Sequence, residues 1–245
     1  MYQPNTYGDG LASVYDQIYP HTSDVDSAVT FIQAAAPQGR VLELGVGTGR
    51  LAFPLADAGL TVHGVDASEG ILAKLTERDA EGRIETSVCD FTEELPEGEF
   101  DVVLIGLNTL FMVPDRDKQI DALRLMRSRL GEKGIAIAET YDPWYYHRQT
   151  EARVDVHHIG PTEIMIDTSY VSRKDQQVII VHTVLDGGAP RKVLEMSRYA
   201  WPSELELMAR AAGLTVREQW GGWNREPVMP DSKRYVWVFE AADES

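Results

Sequence analysis

The sequence predicts an α/β protein with a doubly wound, mostly parallel sheet of seven strands and an antiparallel β insert. Three observations carry that prediction. An apolar run, Val41-Leu42-Glu43-Leu44, ends in three alternate glycines, and a second strand ends in an acid, Asp66, 17 residues after the last of them. Between residues 40 and 139, short apolar runs alternate with segments of helical spacing. Beyond residue 141 the alternation gives way to consecutive strand-like runs joined by turn residues.

Each element follows from local chemistry. The first 20 residues carry Tyr2, Tyr7, Tyr15 and Tyr19 and read as an N-terminal lid helix. Residues 24–36 set Val25, Ala28, Val29 and Ile32 on one helical face, and Pro37 and Gly39 end it. Residues 41–44 read as a buried strand. Residues 51–58 read as a short helix that must begin near Pro54, because proline is tolerated only in a first turn. Residues 61–65 form the second strand, and Ser68 caps a helix carrying Ile71, Leu72 and Leu75. Residues 84–88 and 100–105 are the third and fourth strands, the latter a continuous apolar run suited to burial on both faces. Residues 117–130 form an amphipathic helix with Ile120, Leu123 and Leu130 inward. Its acids lie early and its arginines late, as the helix dipole favours.

Gly131 and Gly134 turn the chain into a fifth strand at 135–139. Residues 163–172, 177–185 and 192–199 then read as an antiparallel meander. Ser203 and Glu206 have the spacing of a capping box, and Gly213 closes that helix. Strands at 214–219 and 234–240 complete the sheet as an antiparallel pair. The expected organisation is a core of residues 1–145 and 201–245, with 146–200 as the insert.

A length of 245 residues suits one large domain with such an insert. The net charge is −16, and residues 1–100 hold 17 acids against 5 bases. That field repels phosphate backbones, so no nucleic acid partner is expected, and it favours cationic or neutral small substrates. The single cysteine, Cys89, excludes an intrachain disulfide and reads as a small buried residue. There is no basic leader and no run near about 18 apolar residues, so no membrane is expected and the expected compartment is the cytoplasm. His157 and His158 are strand neighbours that point to opposite faces, and no metal site is expected.

The glycines permit a tight strand-to-helix turn and let a ligand lie against bare backbone. An acid ending the next strand accepts hydrogen bonds from a ribose diol. Together these describe a site for an adenosine-type cofactor. A dinucleotide fold expects G-x-G-x-x-G. Here the spacing is Gly45-x-Gly47-x-Gly49, with Arg50 in the sixth position.

Further motifs coincide: Cys89-Asp90-Phe91 after the third strand, Phe100-Asp101-Val102-Val103 opening the fourth, and Leu130-Gly131-Glu132-Lys133-Gly134-Ile135 before the fifth. With them the chain resembles the class I S-adenosylmethionine-dependent methyltransferases, a Rossmann-like fold. In layout it is similar to sugar-amine and glycine N-methyltransferases. The resemblance implies S-adenosylmethionine as cofactor and S-adenosylhomocysteine as product. It places Gly45, Gly47 and Gly49 under the methionine and ribose. Glu43 would order the loop and accept a hydrogen bond near the cofactor's amino group. Asp66 would take the ribose hydroxyls, with Ala67 beside the adenine. Asp90 would meet the adenine amine, with Phe91 against the ring. Leu107 and Asn108 would flank the methionine, and Arg50 and Tyr15 complete the set. Glu43 also stands out on its own, because an unpaired carboxylate in an apolar strand is costly.

Three segments bear on the methyl acceptor. The tyrosines of the N-terminal segment, Tyr15 and Tyr19 among them, would close over the cofactor and reach it or the acceptor. The end of the fifth strand, residues 139–147, offers aromatic walls and His147 as a base. The loop at 220–225 would form a rim. His147 and Tyr19 are therefore the candidate catalytic residues. The expected reaction is methyl transfer to an amine or hydroxyl of a small molecule of the specialised-metabolite kind, with positioning as the main catalytic effect. A peptide N-terminus is an alternative acceptor. A nicotinamide-dependent reductase is an alternative class. The expected state is a monomer or homodimer.

Overall fold

The computed structural model describes residues 3–18 and 23–242. Five strands run parallel: β1 (Arg40–Leu44), β2 (Thr61–Asp66), β3 (Ile84–Val88), β4 (Phe100–Ile105) and β5 (Leu130–Tyr141). β10 (Leu214–Trp220) and β11 (Arg234–Ala241) form an antiparallel pair, and β11 joins β5 antiparallel. The sheet order is β10-β11-β5-β4-β1-β2-β3. The chain therefore leaves β1 in one direction for β2 and β3, then returns to place β4 on the other side. That reversal opens a crevice at the carboxyl ends of β1 and β4, where ligands of such sheets bind.

Alternation along the strands supplies both faces of the sheet. Leu42, Leu44, Val103 and Ile105 pack with Leu123 and Met126 of α6 (Arg116–Ser128) and Leu205 and Met208 of α8 (Pro202–Ala211). Val41, Val102 and Leu104 pack on the other face with α3 (Ser23–Ala35), α4 (Ala52–Asp57) and α5 (Glu69–Arg78), through Ala28, Ile32, Leu55 and Leu72. The Ser68 hydroxyl accepts from the Ile71 amide at 3.1 Å, so the expected cap of α5 is present.

Between β5 and α8 lies a second sheet of four antiparallel strands in chain order. They are β6 (Arg153–His158), β7 (Ile164–Ser172), β8 (Gln177–Leu185) and β9 (Arg191–Arg198). Its inner face meets two short N-terminal helices, α1 (Thr6–Leu11) and α2 (Tyr15–Ile18). Leu11 and Val14 pack there on Met165, Val184 and Val193. Among the described residues, no helix is long and apolar enough to cross a membrane.

Four expectations need correction. The N-terminal segment forms two short helices rather than one. α6 stops at Ser128, and Leu130 opens β5, where the pairing with β4 carries an irregularity between Phe100 and Val102. β5 thus takes in the glycines read as a turn. The helix at 202–211 has no capping box. Pro202 takes its first turn and Trp201 precedes it with no side-chain cap, so Ser203 falls inside the helix. The strand β6 went unread because its apolar alternation is only two residues long, Val154 and Val156, and the strand is exposed along most of both faces.

Candidate active site

The glycine loop leaves β1 in a conformation that side chains resist. Gly45, Gly47 and Gly49 have φ of 70°, 59° and 87°. A Cβ at Gly45 would collide with the Thr109 side chain, and one at Gly47 would stand 3.4 Å from the Tyr15 ring. The amides of Gly45 and Val46 both donate to the Val65 carbonyl, at 2.8 and 3.0 Å, tying the loop to β2.

Asp66 ends β2 where the loop turns. Its carboxylate accepts from the Gly47 amide at 3.0 Å and the Ser68 amide at 2.9 Å. Burial raises its pKa, against the pull of those two amides. It opens on a cleft of about 280 Å³, which Ala67, Asp90, Phe91, Gly45, Gly47, Tyr7 and Tyr15 also line. Asp90 does double duty, since it also accepts from the Thr92 amide and hydroxyl at 2.9 and 2.8 Å. Thr109 and Met112, just after β4, line the same cleft and lay outside the sequence reading.

Glu43 lies 4% exposed beneath the loop. Burial pushes its pKa up to about 8; Arg50 opposes this and Asp66 adds to it. Its Oε2 has no hydrogen-bond partner among the described residues. The small cavity above it is lined by Tyr15, Gly45, Arg50, Leu107 and Thr109. A backbone cradle with no room for Cβ, an acid at the ribose position, and an orphaned carboxylate oxygen facing a cation all suit S-adenosylmethionine. Asp66, Glu43 and Arg50 would meet its diol, its ammonium and its carboxylate.

Leu107 holds a left-handed φ of 49°, and its amide donates to Glu139 at 2.8 Å. Leu107 lines the small cavity itself, and both Leu107 and Asn108 border its two neighbours rather than the main cleft. One neighbour, of about 320 Å³, is lined by Arg50, Glu139, Tyr141, Trp223 and Arg234, so the 220–225 loop does reach a rim. The other, of about 220 Å³, lies under the insert. Its walls include Tyr7, Tyr15, Phe111, Tyr141, Tyr146 and Ile180, and its polar lining includes the charged group Asp167, His182 and Glu195.

That polar lining was missed in the sequence. His182 is 4% exposed on β8, with Nδ1 2.8 Å from Asp167 and Nε2 3.1 Å from Glu195. Burial lowers its pKa, but the two carboxylates outweigh burial and carry it up to about 9. The signal was one ionisable residue at an inward position on each of three otherwise apolar strands: Asp167 among Met165 and Ser169, His182 among Ile180 and Val184, and Glu195 beside Val193. It became meaningful only when the register put Asp167 opposite His182.

The expected base is elsewhere. His147 ends α7 (Trp144–His147), with Nδ1 2.8 Å from the Tyr199 hydroxyl and its ring 5.0 Å from that of Trp201. It lines none of these four cavities. The reason is local: Pro143 starts a helical turn that carries the histidine away from the strand end, into an aromatic cluster. Tyr19 lies outside the described residues.

Comparison with known proteins agrees with this geometry. Residues 41–134 match the family described as a methyltransferase domain. Over 243 residues the chain is 30% identical to a cypemycin N-terminal methyltransferase from a Streptomyces species, covering 98% of this chain and 99% of that one. It is similar to the solved structure of the CcbJ methyltransferase from Streptomyces caelestis, at 36% identity and a TM-score of 0.90, over 98% of this chain and 100% of that chain. The amino pentose methyltransferase CalS10 from Micromonospora echinaspora shares the fold, with a TM-score of 0.68 at 17% identity over 92% and 94% of the two chains.

Proposed function

Because the chain belongs to the S-adenosylmethionine-dependent methyltransferases, we propose that it methylates an amine, on a small molecule or at a peptide N-terminus. The family replaces the nicotinamide-dependent reductase as a reading. When bound, S-adenosylmethionine supplies an electrophilic methyl group. The chain's own part is to bind, orient and exclude water.

The observation that carries the amine reading is the charge of the cavity under the insert. Two carboxylates, Asp167 and Glu195, share one imidazolium. Asp167 also meets the half-exposed His157 at 3.2 Å. The buried part of the group, two carboxylates on one imidazolium, still presents net negative charge to the cavity among tyrosine rings. That suits a cation by charge and by ring quadrupole. A hydroxyl acceptor would need a base, yet both nitrogens of His182 are engaged. An amine releases its proton to solvent before the transfer step, is then a neutral nucleophile, and needs only to be aimed. The similarity to an N-terminal methyltransferase supports the peptide form of the same chemistry.

The test is transfer of a labelled methyl group to a panel of primary and secondary amines, short peptides with free N-termini, and phenols. Label on amines or peptide N-termini supports the reading. Label on phenols alone overturns it.

A further inference from the structure

The end of β5 holds a hydroxyl that the fold leaves unused. Tyr141 is the last residue of that strand, at the carboxyl edge of the parallel sheet. Its ring is clamped edge-on between Phe111, at a centroid distance of 5.1 Å, and Tyr146, at 5.3 Å. The hydroxyl oxygen is buried and has no hydrogen-bond partner among the described residues. Buried polar groups are normally paired, because leaving one unpaired costs stability. A phenylalanine would pack in the same clamp without that cost.

The position of the hydroxyl says what it is kept for. Tyr141 lines the cavity that holds Glu195 and His182, and also the cavity that holds Arg50 and Asn108. It therefore stands between the acceptor side and the methionine side of the site. Burial, and then Tyr146, Glu195 and Tyr199, push its pKa well above the ordinary phenol range. The group stays a neutral phenol, able to accept a hydrogen bond and unable to act as a base.

We infer that Tyr141 positions the acceptor nitrogen: its phenolic oxygen accepts one N–H of an amine whose charge faces Glu195. This rests on the amine reading of the same cavity. The hydrogen bond fixes the direction of the nitrogen through one N–H. Once another proton has left the ammonium for solvent, the lone pair it frees is not occupied by Tyr141 and is available to the methyl group. The preferred ligand is a primary or secondary amine on an apolar or aromatic body, since Phe111, Tyr146 and Ile180 surround the rest of the space. A tertiary amine has no N–H to give while neutral and would lose this contact.

The test combines stability with binding of a defined probe. Benzylamine is titrated by calorimetry into the protein saturated with S-adenosylhomocysteine, and thermal unfolding is followed without ligand. Tyr141→Phe is expected to leave the unfolding midpoint unchanged or raised, and to weaken benzylamine about tenfold. S-adenosylhomocysteine affinity should not change. N,N-dimethylbenzylamine, which has one N–H at most, should lose less from the substitution than benzylamine does. An unchanged benzylamine affinity in Tyr141→Phe overturns the assignment and leaves the amine reading standing. A lowered midpoint with unchanged probe affinity overturns it also, by showing a structural partner for the hydroxyl. If neither benzylamine nor trialanine binds the wild-type complex, the amine reading falls and this inference falls with it.

Discussion

Glu43 is buried with a vacant oxygen and a pKa raised to about 8, an arrangement that a cationic ligand group would relieve. Below that pH the carboxyl holds a proton, and accepting the cofactor's ammonium requires its release. Binding of S-adenosylhomocysteine should then release a proton, and affinity should rise by up to about tenfold per pH unit from pH 6 to 8 and level off above. Calorimetry in two buffers of different ionisation enthalpy counts that proton, and Glu43→Gln should flatten the profile. A profile equally steep in the variant would assign the proton elsewhere. Asp66→Ala should weaken the same ligand more than tenfold, roughly 1.5–3 kcal/mol for losing a charged acceptor to two hydroxyls. An unchanged dissociation constant would show that the ribose lies elsewhere. Both residues were legible in the sequence, because a carboxylate inside an apolar strand and an acid at a strand end stand out from their neighbours. His147 misled because proximity in sequence to a strand end does not fix a side chain's direction after a proline.

At the scale of the element, the insert shows what sequence patterns miss. Its strands β7, β8 and β9 were readable from apolar alternation and turn residues, but His182, Asp167 and Glu195 lie on different strands. Their meeting depends on register, which a single sequence does not display. Once paired, they make a stability prediction with a definite sign. The folded pKa of His182 is raised to about 9, above its ordinary 6.5. The protonated form is therefore favoured by folding. Its contribution is complete below about pH 6.5 and fades as pH rises through about 9, with an upper limit of roughly 3 kcal/mol. Urea unfolding of wild type and His182→Gln should differ most at pH 6 and converge near pH 9.5. A gap that widens with pH would mean that the imidazole is held neutral. The glycine loop makes the matching prediction for the core sheet. Gly45→Ala would put a methyl group into Thr109 at a φ of 70°, and should abolish S-adenosylhomocysteine binding in a protein that still unfolds cooperatively. Retained binding would show that the loop can shift without cost to the site.

Across the whole molecule, the parallel sheet followed from alternation of elements and the terminal antiparallel pair from the two strand-like runs at 214–219 and 234–240, whereas the order of the strands and the way the N-terminal helices join the two sheets did not. α1 is a wedge. Gly8 approaches Ser68 at the start of α5, and Gly10 approaches Val193 on β9. Asp9 accepts from the Ser68 hydroxyl at 2.5 Å, and Arg191 reaches the Gly10 carbonyl at 3.3 Å. Sequence showed glycines in a helical segment, which usually signals weakness; contact across the fold explains them as space. The two explanations predict opposite signs for Gly10→Ala. Helix propensity alone would stabilise the protein by about 0.5–1 kcal/mol. Close approach sets the new methyl 2.6 and 2.7 Å from the two Val193 methyls, and a β-branched side chain has little freedom to yield. Overpacking of that kind costs about 1–3 kcal/mol, so net destabilisation is expected in chemical unfolding. The effect should reach the active site, because Tyr7, Gly8 and Tyr15 line the cofactor cleft. S-adenosylhomocysteine should therefore bind more weakly to Gly10→Ala although residue 10 does not line that cleft. A variant as stable as wild type, or more so, with unchanged affinity would show that α1 rides on the insert without coupling it to the cofactor.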